Sequence, residues 1–485
     1  MNPTRLLGLT SSALAALATS VAAQSTPSNA ELLERLERIE QENRDLRGRV
    51  ERVEGSGAAS TGAAGGSSLE RDLADLGAPG SAAGTSATDR DDALAAPGRA
   101  LAQSGLSGAF GGLYTKPFLA SSNGIALGGY MDFEFKDATN ADRDFRFHRL
   151  IPFIYAQPSE RVKFATEIEI EDGHELAVEF AVIDLCFADP FNFRAGVILS
   201  PLGKFNLVHD SPVNELTDRP LVDSTVIPTT LREAGFGAFG TLASADSSLG
   251  QLTYEAYLTG GFKGLLDDGT ATFDRSNGLR NGRPHEEVGS ERAFEDINNG
   301  FAGVARLEWS PTLGGVVGLS GHRGAYDESG ENELTIVAVD GALDGRVVSR
   351  LLGASGATAR VIDGFELLGE AAHASLQTDA FARAAGIPDR LAGWYVQLNY
   401  RLYPDFLRDF EQRGWLDRGS RFTLVARWDD VDLDGNERER LTFGLNFRPN
   451  QSQTVIKFDW QFNSESGNTV ETRNDAFLAS IATYF

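Results

Sequence analysis

The 485-residue chain has a single cysteine, Cys186, so no internal disulfide forms, and its histidines and cysteine show no zinc-ligand spacing. Lysine is scarce: Lys116, Lys136, Lys163, Lys204, Lys263 and Lys457 are all there are. Lys and Arg together number 44 against 69 Asp and Glu, a formal net charge of −25, which argues against nucleic acid as a partner because phosphate binding needs a basic surface. Beyond the N-terminus no apolar run is long enough for a membrane helix, and mean hydropathy is −0.21. There is no Gly-x-Ser-x-Gly elbow, phosphate-cradling glycine loop or His-Glu-x-x-His. No enzyme, cofactor or metal is therefore expected.

What is present is organised in four parts. Residues 1–23 read as a secretory signal, with Arg5, an apolar Leu6 to Ala18 core and Val21-Ala22-Ala23 before Gln24. Residues 24–54 carry a heptad repeat, one series being Leu32, Ile39, Leu46 and Val53 and the other Leu36, Asn43 and Val50. Steps of four and three keep both series on one stripe, the seam of a short α-helical coiled coil, and Asn43 there can fix register. One amphipathic helix packed on its own domain is the alternative. Residues 55–119 are rich in Gly, Ala and Ser, a flexible tether.

From residue 120 onward the period is two. Leu441, Phe443, Leu445 and Phe447 alternate with Thr442, Gly444 and Asn446; Ile456, Phe458, Trp460 and Phe462 alternate with Lys457, Asp459 and Gln461. Such alternation marks strands with one apolar and one polar face. Sixteen strands are predicted, starting near 124, 143, 160, 174, 191, 233, 250, 299, 313, 331, 360, 391, 419, 438, 453 and 475. Some are long enough to cross a bilayer at a tilt, which takes ~9–11 residues.

Pro158, Pro190, Pro311, Pro404 and Pro449 each follow an even-numbered strand, whereas the long or acidic connections (200–232, 262–298, 324–333, 429–439 and 464–475) follow odd-numbered ones. One rim of tight turns and one of larger loops is the layout of an all-β, transmembrane antiparallel barrel of the outer-membrane kind. The chain ends on Phe485, sharing a face with Phe477, Ala479, Ile481 and Thr483. A secreted soluble β-protein is the rival, but it lacks a second apolar layer for so many one-sided strands.

Several segments resemble the phosphate-selective porin O/P family of trimeric outer-membrane channels: Phe145-Arg146-Phe147-His148-Arg149, Phe193-Arg194-Ala195-Gly196-Val197 running into Ser200-Pro201-Leu202-Gly203, Phe365 to Glu370, and Phe422 to Asp434. The resemblance implies a sixteen-stranded barrel over 120–485, a homotrimer in the outer membrane, and a third loop folded inward, a place occupied here by Ser200 to Arg232. It also implies contact with lipid and lipopolysaccharide and passage of small polar or anionic solutes such as phosphate. The lysine cluster of anion-selective members is missing.

By alternation Arg194, Arg306, Arg401, Arg421, Arg427, Arg440 and Lys457 face the interior, together with Glu167, Glu169, Glu308 and Asp459. Arg146, His148 and Arg149 lie on a strand interrupted by Pro152, which leaves their facing open. In the inward segment Lys204, Arg219 and Arg232 are the residues expected to meet an anion. The plain alternative for each charge is a cross-strand pair that keeps the wall hydrated. Asp430-Val431-Asp432-Leu433-Asp434-Gly435 copies the start of a calcium loop, but Leu441 stands where the bidentate Glu belongs, so an acidic hairpin tip is expected. Two other functions stay open: a plugged barrel tethering membrane to cell wall through the periplasmic coiled coil, and a barrel hydrolase.

Overall fold

The computed structural model describes residues 120–122, 125–139, 141–450, 453–467 and 474–485. The signal, the seam residues and the tether lie outside the described residues. A three-residue strand, β1 (Ala120–Ser122), precedes sixteen longer ones. They are β2 (Ile125–Ala138), β3 (Asp144–Ser159), β4 (Val162–Glu171), β5 (Glu175–Ala188), β6 (Phe191–Leu199), β7 (Arg232–Ala243), β8 (Gln251–Thr259) and β9 (Ala302–Thr312). The rest are β10 (Gly315–Ala325), β11 (Glu333–Asp344), β12 (Phe365–Leu376), β13 (Arg390–Leu402), β14 (Arg421–Asp432), β15 (Asn436–Arg448), β16 (Thr454–Gly467) and β17 (Ala476–Tyr484). Each pairs antiparallel with the next, and β17 pairs with β2 from Ala476↔Ala138 to Tyr484↔Tyr130, which closes the wall.

The wall is inside-out relative to a soluble protein. On β15 and β16, Leu441, Phe443, Leu445, Phe458, Trp460 and Phe462 are exposed, while Thr442, Asn446, Lys457, Asp459 and Gln461 are buried. Apolar side chains on the outside of a closed barrel suit hydrocarbon, and closure leaves no strand edge needing water. The fold is thus a sixteen-stranded transmembrane antiparallel β-barrel.

The rims differ from the expected layout in two ways. On the rim that carries the C-terminus, the connections after β11 and β13 are not tight turns. They hold helices at Gly345–Leu351, Gly356–Asp363 and Asp405–Gln412, and Gly356–Asp363 is why the strand predicted near 360 starts at Phe365. On the opposite rim, the expected 429–439 loop is a tight hairpin. Asp434 and Gly435 take φ of 57° and 92°, and Leu433 N–H donates to Asn436 O at 2.9 Å. Two consecutive positive φ values make a turn whose twist matches the strands, so β14 and β15 run on to it. Its acids are held by Arg275 on Asp434 and Arg390 on Asp432.

Two connections turn into the barrel. Residues 200–231 are almost wholly buried, and much of 260–301 is too. Leu202, Leu207, Val222, Val226, Ile227 and Leu231 of the first pack with Phe262, Leu265, Phe273 and Leu279 of the second, against Tyr326, Leu334, Ile336, Ala374 and Leu391 of the wall. An apolar core thus fills the part of the interior beside β11–β13, because those strands present apolar residues on both faces.

Candidate functional site

Between prolines 201, 212, 220 and 228 the 200–231 segment forms only a 3₁₀ turn at Phe205–Leu207 and a single helical turn at Val222–Thr225, so many of its buried amides and carbonyls need other partners. Wall side chains supply them, sorted by charge. Carboxylates take the N–H groups: Glu370 accepts from Lys204 N at 2.7 Å and Phe205 N at 3.1 Å, Asp459 from Thr217 N at 2.7 Å, and Asp429 from Leu221 N at 3.0 Å. Cations take the carbonyls: Arg448 donates to Pro212 O at 2.8 Å, Lys457 to Ser211 O at 2.9 Å, and Arg427 to Asp218 O at 3.1 Å. Charge-assisted bonds of this kind are the strong ones. Gly203, at φ 69°, is required where the segment enters: a Cβ there would lie 2.0 Å from Glu370 Oε1.

Arg427 and Lys457, expected to bear on solute, are therefore staples for the inward segment. Arg194, Arg306 and Arg401 are wall ion pairs: Arg194 with Asp184 at 2.7 Å, Arg306 with Asp340 at 2.6 Å and Glu308 at 2.9 Å, and Arg401 with Glu366 at 2.5 Å. Arg421 is buried on the same inner face. Lys204 pairs with Glu308 at 2.8 Å.

The remaining candidates converge. A cavity of about 610 Å³ opens on the rim opposite the C-terminus, and Arg146, Arg219, Arg232 and Arg440 all line it. Arg149, Arg280, Arg283 and Arg438 join them, making eight arginines against six carboxylates, in a chain of net charge −25. Arg280 and Arg283 come from the second inward connection, where strand alternation gives no signal for an inward guanidinium, whereas Arg438 lies on β15 in step with Arg440 and Thr442.

These arginines are not equally committed. Arg146 is held by Glu171 and Asp172, each at 2.6 Å, and that contact lowers the Asp172 carboxyl below its ordinary value. Arg149 and Arg232 share Glu169 at 3.4 Å each. Arg440 stands 3.7 Å from Asp218, and Arg283 pairs with Glu286. Arg219 donates to the Thr229 carbonyl. Among the described residues Arg219, Arg280 and Arg438 make no ion pair with a carboxylate. Burial, with Arg232 and Arg283 alongside, pushes the His285 imidazole well below its ordinary value, so it is neutral at pH 7. The positive field of the vestibule is carried by guanidinium.

A second cavity of about 110 Å³ lies between the inward segment and β10–β13, lined by Lys204, Glu215, Asp340 and Glu366 among others. Phe205 and Asn214 line both cavities.

No family model matches the chain. An uncharacterized protein of Aquifex aeolicus (strain VF5) is 27% identical over 347 residues, covering 67% of this chain and 73% of that one. Among solved structures, the outer membrane channel DcaP of Acinetobacter baumannii aligns at a TM-score of 0.47 with 11% identity, over 76% of this chain and 100% of its own. OprB of Pseudomonas putida aligns at 0.45 with 11% identity, over 75% of this chain and 94% of its own.

Proposed function

We propose that this chain is an outer-membrane porin, through which small hydrophilic solutes diffuse passively and anions pass preferentially. The observation that carries the reading is the arginine-lined vestibule above an inward segment stapled to the wall. A low-dielectric barrel focuses the field of unneutralised guanidinium groups, which raises the local concentration of anions and the rate at which they enter. Arginine also binds phosphate and carboxylate through paired N–H groups, so phosphate-like solutes suit the site. Lipid and lipopolysaccharide surround the wall, with acidic rim residues available to divalent ions between lipopolysaccharide molecules. The assembly is a homotrimer, with residues 24–54 forming a coiled coil in the periplasm.

Ion preference tests the selectivity. Under a salt gradient in a planar bilayer, Arg219→Gln with Arg232→Gln is expected to shift the reversal potential toward cations, and Arg280→Gln with Arg438→Gln to shift it further. An unchanged reversal potential in both removes the vestibule from selectivity.

The apolar core between the two inward connections favours one other reading, a plugged barrel that tethers the membrane. A folded protein that inserts and carries no current would establish it.

A further inference from the structure

Opposite Glu167 on β4 stands Phe180 of β5, and opposite Ile168 stands Val178, so Glu179 is the extra residue of a β-bulge. Bulges re-aim side chains. This one turns Glu179 inward beside Phe180, and both are completely buried. There Glu179 meets His209 and Asp210 of the inward segment, which are 2% and 3% exposed. One ligand atom from each of the three lies within 4.8 Å of the others.

His209 stands between a carbonyl and a carboxylate. Nδ1 lies 2.8 Å from the Asn206 carbonyl oxygen, which only accepts, so Nδ1 carries a hydrogen. Nε2 faces Glu179 Oε1 at 2.9 Å, so the gap between them holds either a second ring proton or a cation. A second ring proton sets one positive charge against two buried carboxylates, whereas a divalent cation held by Nε2 and both carboxylates balances them.

Two further groups point the same way. Asp210 accepts from the Tyr484 hydroxyl at 2.7 Å, an orienting contact of the kind that fixes metal-binding carboxylates. The Tyr130 hydroxyl is fully buried with no hydrogen-bond partner among the described residues, and its charged neighbours include Glu179 and Asp210. Arg149 also lies in that field, but it serves Glu169 as well. Because His209 lines the vestibule, an ion has a way in.

The other His–carboxylate group, Asp132, Glu134 and His148, already has its donors. His148 Nδ1 reaches Asp132 at 2.9 Å and Glu134 at 3.0 Å, so one N–H serves both, and Asp132 also accepts from Arg149 N and Ser211 Oγ.

We propose that Glu179, His209 and Asp210 hold one divalent transition-metal ion of the zinc type, pinning the inward segment to the wall. One nitrogen and two carboxylate oxygens suit zinc. The full chain, purified in detergent, stripped with a chelator and reloaded with Zn²⁺, is expected to retain one zinc per chain by elemental analysis. Its thermal unfolding midpoint should rise with Zn²⁺ and not with Mg²⁺. Glu179→Gln and His209→Ala should each lose the bound zinc and the thermal shift, whereas His148→Ala keeps both. The proposal is overturned if the stripped wild type retains no zinc and gains no stability from it, or if His148→Ala loses the zinc while Glu179→Gln keeps it.

Discussion

Phe443→Arg is expected to block insertion or destabilise the inserted barrel by about 2–4 kcal/mol, the cost of a charge on the lipid face near mid-membrane. Phe443 lies mid-strand on β15, exposed on the outside, opposite Trp460 on β16 and Ala426 on β14. An arginine there has neither water nor a carboxylate within its strand neighbours. Its chain neighbour makes the control. Thr442 faces inward and is completely buried, so Thr442→Ser keeps the hydroxyl and costs well under that amount. Denaturant titration of protein refolded into lipid vesicles measures both. Equal tolerance of arginine at position 443 would mean that this face does not meet hydrocarbon.

The second large effect belongs to the inward segment. Leu199 and Arg232 are direct partners across β6 and β7, so a short turn can replace residues 200–231 and leave the hairpin register intact. The variant is expected to conduct severalfold more current per channel and to lose much of its anion preference. Removal takes away Phe205 and Asn214, which line both cavities, and Arg219, which lines the vestibule. It also strips Glu370, Asp429 and Asp459 of the amides they accept from and uncovers Leu334 and Ile336. Thermal stability should therefore fall even as current rises. Single-channel recording beside a melting curve separates the effects, and unchanged conductance would place the constriction elsewhere.

The barrel was legible because its strands obey one rule that needs no tertiary information. Where Leu441 to Phe447 or Ile456 to Phe462 alternate, position along the chain dictates facing. The rule weakens where the structure breaks it for a reason. β5 loses its period at the Glu179 bulge, and β11 sends Leu334 and Ile336 inward and Val337 and Val339 outward, so neither face reads as polar. Asp434-Gly435 is a turn signal that the surrounding acids disguised as a long loop. The site was legible in part. Inward facing of Arg427 and Lys457 follows from alternation, but whether a charge meets solute or staples a loop depends on what folds against it. Arg280 and Arg283 reach the vestibule from a connection without periodicity, and Glu179 meets His209 only through a bulge and an inward turn.

The central claim is that a water-filled path runs through a lipid-embedded barrel, past Phe205 and Asn214. Single-channel recording of the intact protein in a planar bilayer tests it most directly. Discrete, ohmic current steps with a reversal potential on the anion side are the expected result. A folded protein that inserts into vesicles yet leaves the bilayer electrically silent would contradict it.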